Sequence, residues 1–298
     1  MTGSTPMVVL AGGTGDLGAR VAKALVRRKV EVRALLRPGR DPGPLKALGV
    51  TPIVAALEAR SALIEACRGA VCVASTLNGL GDVIVDAQGR LLEAAVAAGV
   101  PRFIPSDFSL DYTRVPVGSN RNFDLRRAFR SKLDAAPIRA TSVFNGAFAD
   151  MLAGEMPLIV RPIRRVLYWE DADHGFPLTT KDDTAAVTAA AALDSEAPRD
   201  LHVAGSVASA RILAETLSRI SGQPYRPLRF GSLQSLRRWI GITRRIAPQA
   251  NSVFPAWQAM QYLDTMFSGQ TPAAGGDNNR YPDVALTPID TVLRAWLS

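Results

Sequence analysis

The sequence predicts an α/β protein, a doubly wound parallel sheet with a smaller, discontinuous second domain. Three observations carry that expectation. A short apolar run at residues 7–11 meets a glycine cluster at 12–18, and a helical pattern follows at once. Apolar runs and helical stretches then alternate as far as residue 148, as they do in a sheet built from βαβ units. Beyond that point the alternation breaks, and residues 224–298 are helical and loop-rich, with most of the tryptophans. The expected division is a first domain at 1–150, with 182–222 returning to it, and a cap at 223–298 together with 151–181.

The first strand and its turn set the rest. Leu17, Val21, Ala24, Leu25 and Arg28 fall at helical spacing, the apolar members on one face. In Gly12-Gly13-Thr14-Gly15-Asp16-Leu17-Gly18 the spacing Gly-x-Gly-x-x-Gly is met from Gly13, and Gly-x-x-Gly-x-x-Gly from Gly12. Strand, glycine turn and helix in this order bind a dinucleotide pyrophosphate. The first glycine makes the turn, the middle one lets backbone approach the phosphates, and the last lets helix and strand pack closely. The phosphates then rest on unpaired N–H groups at the helix N-terminus. Gly12, Thr14, Gly15, Asp16, Leu17 and Gly18 are the candidate contacts; an ordinary βα turn is the alternative. The second strand, 30–36, ends at Arg37-Pro38-Gly39-Arg40. An acid there would hold the ribose hydroxyls of NAD. Arg37 stands there instead, with Arg40 and Lys46 close behind. A guanidinium makes forked, charge-assisted bonds to phosphate, which points to NADP.

The remaining elements follow in order. Residues 44–48 open a short helix, 50–54 form a third strand, 61–67 a helix and 70–74 a fourth strand ending in Ser75, Thr76 and Leu77. A helix at 83–98 closes at Gly99, the position that needs a left-handed cap. The fifth strand is 102–105, the next helix 125–134 and the sixth strand 139–144. In a doubly wound sheet the ligand lies beyond the carboxyl ends of the strands. Ser75, Thr76, Leu77, Ser106, Asp107, Phe108, Asn145 and Gly146 therefore join the candidate site. Residues 166–169 and 176–179 read as a hairpin about a polar tip, 181–193 as a helix, and 201–204 as a late strand returning to the sheet. Helices at 208–221 and 232–246 follow, and 270–279 reads as a flexible loop.

Composition narrows the class. Apolar content of 47% and charged content of 21% are those of a soluble globular protein. No apolar run approaches the roughly 20 residues of a membrane span. The first strand begins at Met7, leaving no room for a signal peptide, so the cytoplasm is the expected compartment. Cys67 and Cys72, with only two histidines elsewhere, make no zinc pattern and read as buried free thiols. The net charge of +8 is spread along the chain apart from Arg237, Arg238, Arg244 and Arg245, one heptad apart on the 232–246 helix. A solvated helix face accounts for them better than a nucleic-acid patch, since no recognised binding motif accompanies them. Neither nucleic acid nor membrane is expected as a partner. His174 reads as a loop residue and His202 as a packed core residue. Asp182 and Asp183 complement a helix dipole. Phe144, Phe148, Tyr168 and Trp169 read equally as the wall of an aromatic substrate pocket or as core. Tyr112 reads equally as a proton donor near the site or as a surface loop residue.

At Arg102-Phe103-Ile104-Pro105-Ser106-Asp107-Phe108 the chain resembles the NmrA-like family of atypical short-chain dehydrogenases/reductases, which includes the isoflavone reductases and phenylcoumaran benzylic ether reductases. The likeness also covers residues 12–18, the Arg37 strand end, 88–99, 141–148, 179–185 and Asn279-Arg280-Tyr281-Pro282. It implies a Rossmann domain with a small substrate domain, NADP as cofactor, and reduction of a small, aromatic carbonyl, enone or benzylic ether. It also implies that Thr76, Ser106 and Asn145 lie near the nicotinamide. One departure stands out. Where the reductases carry a lysine three residues after a phenylalanine, this chain has Phe123-Asp124-Leu125-Arg126. A guanidinium, which holds its proton far above neutrality, is a poor general acid or base, yet it can hold or polarise a substrate oxygen. Lys132, six residues on, lies off that face, and no Tyr-x-x-x-Lys pair occurs. The alternative reading is a non-catalytic NADP-binding redox sensor acting through a protein partner. The sequence leaves the oligomeric state open.

Overall fold

The computed structural model describes residues 5–153, 156, 158–271 and 275–298. The chain forms two compact units, passing between them after residues 108, 124, 143, 183 and 201. The first comprises Met1–Phe108, Leu125–Val143 and Thr184–Leu201; the second comprises Ser109–Asp124, Phe144–Asp183 and His202–Ser298. Residues 109–124, 144–150 and 202–222 thus belong to the second unit, against the expected division. The reason is apolar burial. Leu110, Tyr112, Val115 and Phe123, with Leu213 and Leu217, pack into one core with Phe144, Trp169, Phe176 and Phe267.

In the first unit, β1 (Met7–Ala11), β2 (Glu31–Leu36), β3 (Thr51–Val54), β4 (Cys72–Ser75), β5 (Arg102–Ile104) and β6 (Arg139–Ala140) form a parallel sheet in the order β3-β2-β1-β4-β5-β6. This is the predicted doubly wound arrangement, with the strand order reversing beside β1. The helices are α1 (Asp16–Arg27), α2 (Gly43–Ala47), α3 (Arg60–Cys67), α4 (Gln88–Ala97) and α5 (Arg121–Asp134). Helix α1 buries Gly18, Val21, Ala22 and Leu25 and ends where Lys29 takes a φ of 60°. Full burial of a valine or leucine contributes about 1.5–3 kcal/mol each. The segment Asp82–Ala87 enters α4 as a wider π turn, and Gly99 leaves it at φ 73°, the cap the sequence predicts. Cys67 and Cys72 are free and buried, and burial pushes their thiols up to about 11 and about 12.

The expected sixth strand divides. Residues 139–140 pair with β5, and after Thr141 the chain leaves the sheet as β7 (Ser142–Phe144), which pairs with β12 (Asp200–His202). The late strand therefore does not return to the main sheet. Segment 184–201 serves the first unit in another way. Arg102 is buried, and its guanidinium donates to Thr141 Oγ1 at 2.7 Å and to the carbonyls of Ser195 and Ala197 at 2.6 and 3.3 Å.

The second unit holds two small sheets. One joins β8 (Ala147–Phe148), β11 (Phe176–Thr179) and β13 (Ser206–Ala208); the other joins β9 (Ile159–Val160), β10 (Arg165–Trp169) and β14 (Arg226–Gly231). The predicted hairpin does not form: β10 runs parallel to β14 and β11 antiparallel to β13, each apolar run meeting a distant partner. Helix α6 (Lys181–Leu193) begins in the second unit and runs mostly in the first; the second unit's other helices are α7 (Ala210–Ser221), α8 (Leu233–Ile246), α9 (Ala256–Phe267) and α10 (Ile289–Leu297). Ser232 opens α8 with a reciprocal capping box to Ser235. Part of the expected loop at 270–279, residues 272–274, lies outside the described residues. Within the rest, Asn278 is held by two bonds to the Ala204 backbone, at 2.9 and 2.8 Å. No described helix is long and apolar enough to cross a membrane.

Candidate functional site

The glycine turn sits where the strand order reverses, between the ends of β1 and β4. Gly12 has a φ of 81°, and a Cβ there would lie 2.7 Å from the Thr76 carbonyl oxygen. A Cβ on Gly18 would lie 2.1 Å from the Gly12 carbonyl oxygen and 2.7 Å from Thr76 Oγ1. Only glycine admits this approach of helix to strand. Thr76 closes the turn from the other side, its N–H and Oγ1 both donating to Ala11 O, at 2.9 and 2.8 Å. Gly15 is the N-cap of α1 and offers no side chain to its first turn. Thr14, Gly15 and Asp16 are exposed, Leu17 half-buried. Asp16 turns to Arg20 at 2.8 Å. The cradle that a Cβ would fill and the uncapped helix end fit a dinucleotide pyrophosphate.

At the end of β2, Arg37, Arg40 and Lys46 are exposed, and none is paired with an acid among the described residues. Their exposed side chains stand at the strand end beyond the glycine turn.

The ends of β4 and β5 meet directly. Ser106 Oγ donates to Leu77 O at 2.7 Å, and its N–H donates to Gln88 Oε1 at 3.0 Å. Arg126 Nε donates to Ser106 O at 3.0 Å, bringing α5's guanidinium to the β5 end. Glycine turn, Thr76, Leu77, Ser106 and Arg126 thus form one contiguous set within the first unit. Other expected contacts are structural here. Ser75 and Phe108 are buried, and Asp107, also buried, accepts from Ser142 Oγ at 2.6 Å. Arg199 in turn donates to Ser142 Oγ at 2.7 Å. The sequence reading missed Gln88; a polar residue on the buried face of α4 was the signal.

In the second unit the expected site residues are mostly core. Tyr112 is fully buried, edge-on to Phe144 at 5.4 Å and tilted on Phe123 at 6.0 Å, so it is not a surface loop residue. Phe144 and Trp169 are buried in the same core, Trp169 against Phe267 at 5.6 Å; neither offers an open face as a pocket wall. Tyr168 and Phe148 are half-buried. Asn145 is buried, with its Oδ1 unpaired among the described residues, beside Gly146 at φ 70°, where a Cβ would lie 2.2 Å from Pro177 O.

His202 is not a plain core residue. Its Nε2 lies 3.1 Å from Asp111 Oδ2, and its ring stacks at 5.2 Å on Phe144. Burial alone would raise the Asp111 carboxyl; the hydrogen bonds from His202 and Thr113 outweigh it and hold the group below the usual range. Asp183 accepts from the Thr287 N–H and hydroxyl at 2.7 and 3.1 Å, so it ties two segments together as well as facing a helix start. His174 is half-buried beside Gly269. No cluster of three metal-ligating side chains occurs among the described residues.

A doubly wound sheet with a glycine turn at its reversal point defines a nucleotide-binding class of α/β protein. The chain belongs to the NmrA-like family, whose model matches residues 4–267. Among curated proteins it is similar to pinoresinol reductase 2 of Arabidopsis thaliana, with 29% identity covering 67% of this chain and 68% of that protein. It is also similar to an NmrA-like family domain-containing oxidoreductase of Gibberella moniliformis, with 26% identity over 80% of this chain and 85% of the relative. Among solved structures, AtPrR2 with NADP+ and (+)pinoresinol shares the fold at a TM-score of 0.83, with 22% identity and 99% of each chain covered.

Proposed function

We propose that the chain is an NADPH-dependent reductase of a small aromatic substrate. The observation that carries this reading is the contiguous set at the strand ends: an open glycine turn, Thr76 and Ser106 beside it, and Arg126 anchored on the Ser106 carbonyl. Gly12, Gly15 and Gly18 would receive the pyrophosphate, and Arg37, with Arg40 or Lys46, the 2′-phosphate. The names of similar proteins, pinoresinol reductases among them, support an aromatic carbonyl, enone or benzylic ether as substrate.

When bound, NADPH supplies a hydride. Arg126 meets the consequence of hydride arrival, negative charge growing on the substrate oxygen. A guanidinium keeps its charge across the working pH range, so Arg126 acts by position and field. It neither takes nor gives the proton. With Tyr112 buried in the second core, solvent water is the proton source in this reading.

The departure from the family's lysine favours one alternative, a non-catalytic NADP-binding sensor. Steady-state NADPH oxidation on a panel of aromatic carbonyls, enones and benzylic ethers separates the two. Turnover is expected in wild type. Removing an oxyanion-stabilising group costs roughly 10²–10³ in kcat, so Arg126→Ala should lose about that much while NADPH affinity holds. Arg126→Lys should retain part of the activity and introduce an ionisation into its pH–rate profile. NADPH binding without turnover of any compound would establish the sensor reading instead. Full activity in Arg126→Ala would remove Arg126 from the reacting centre.

A further inference from the structure

The second unit carries a concentration of arginines that the reduction does not use. Arg161, Arg164 and Arg294 line one pocket of about 630 Å³. Arg165 and Arg226 follow the lining residues Arg164 and Tyr225 in the chain and are register partners on β10 and β14, with the Arg226 N–H donating to Arg164 O at 3.2 Å. Like charges held side by side on paired strands repel. None of the five is ion-paired with an acid among the described residues. Asp290, which stands four residues before Arg294 and would pair with it along α10, bonds Arg219 instead. Glu170 lies toward Arg229, at 4.0 Å.

Two further features mark the pocket. Arg164 closes the short turn Arg161–Ile163 in the left-handed region, at φ 51° and ψ 54°. Glycine is the usual residue at such a position. Arg161 is held in place, its guanidinium over the Trp296 ring at 5.6 Å and donating to Leu297 O at 3.4 Å. Cations also favour a helix C-terminus, which accounts for Arg161 and Arg294 at the end of α10. Arg165 donates to the carbonyls of Ile163 and Arg164, at 3.3 and 3.2 Å; neither arrangement accounts for Arg164 or Arg226. Ile220, Tyr225 and Leu297 add an apolar wall, and the volume is that of a small-molecule site.

We propose that this pocket binds a small polyanion, a ligand carrying two or more phosphate groups beside a compact apolar part. The inference is independent of the reductase reading. Its test is calorimetric titration of the full chain, saturated with NADP+ so that the glycine turn is filled, with inorganic tripolyphosphate at low and at physiological salt. Binding at one equivalent is expected, weakening as salt rises. Arg164→Gly, which suits the backbone and so preserves folding, and Arg294→Gln should each weaken it about tenfold, because each removes a charge-assisted contact. Arg164→Lys should weaken it less, and Arg37→Ala should leave it unchanged. Pelleting with vesicles containing phosphatidylinositol bisphosphate, lost in the same two variants, would make the source a lipid headgroup; titration without pelleting makes it a free ligand. Absence of binding, binding indifferent to Arg164→Gly and Arg294→Gln, or binding lost in Arg37→Ala would overturn the proposal.

Discussion

Replacing Gly18 by alanine tests the geometry on which the cofactor reading rests. The added Cβ would stand 2.1 Å from the Gly12 carbonyl oxygen and 2.7 Å from Thr76 Oγ1. The first neighbour is backbone and cannot rotate aside. Helix α1 must therefore withdraw from the end of β1 by about 1 Å to reach an ordinary carbon–oxygen contact. Overpacking of this kind costs about 1–3 kcal/mol. At roughly 2–4 °C per kcal/mol for a chain of this class, the melting temperature should fall by about 2–12 °C. The same withdrawal drags the first-turn N–H groups off the pyrophosphate, so NADPH affinity should fall as well. Gly15→Ala is the control within the same turn. Its Cβ would meet only the Gly12 carbonyl oxygen, at 3.3 Å, so it should melt close to wild type while blocking the approach of phosphate. Differential scanning calorimetry and fluorescence titration with NADPH read the two effects separately. A Gly18→Ala protein that melts with wild type, or a Gly15→Ala protein that melts lower than Gly18→Ala, would refute the account of the turn.

Two other outcomes are expected. Arg37→Ala should weaken NADPH binding about tenfold or more, the size of a lost hydrogen bond to a charged group, and leave NADH binding nearly unchanged; equal losses for both cofactors in a fluorescence titration would count against Arg37 as the phosphate contact. Asp111 titrates below its unfolded value near 3.9, so its contribution to stability is complete above about pH 4 and fades as pH falls through the folded value. Asp111→Asn should therefore be less stable than wild type in urea melts at neutral pH, with the difference closing in acid; a constant difference down to pH 2 would show that the carboxylate is not the stabilising form.

What the sequence revealed, and what it hid, follows the range of the forces involved. The glycine turn was legible because its requirements are local: a left-handed Gly12 and a Gly18 with no room for a side chain leave their mark in adjacent residues. The alternation of β1 to β5 with helices was legible for the same reason. The pairing of β10 with β14 was not, because a parallel partner some sixty residues away leaves no local pattern. The short polar segment 170–175 mimicked a hairpin turn between strands that belong to different sheets. Thr141 likewise gave no sign that the chain changes sheet there. Tyr112, Phe144 and Trp169 showed the limit at the site: an aromatic residue lining a pocket and one filling a core are the same letter, and only packing separates them.

The buried Arg102 bears on how the protein is made. Its guanidinium is satisfied by Thr141 and by carbonyls of Ser195 and Ala197. A nascent chain that has emerged only through β6 holds every strand of the main sheet but lacks those carbonyls. Closing the sheet at that moment would bury a charge without its partners, a penalty that disfavours early closure. The first unit thus completes only after residues 184–201 have left the ribosome, by which time two stretches of the second unit are already outside. Neither unit can mature as an autonomous module during synthesis, and a truncation after residue 150 should yield an aggregation-prone fragment rather than a smaller nucleotide-binding protein.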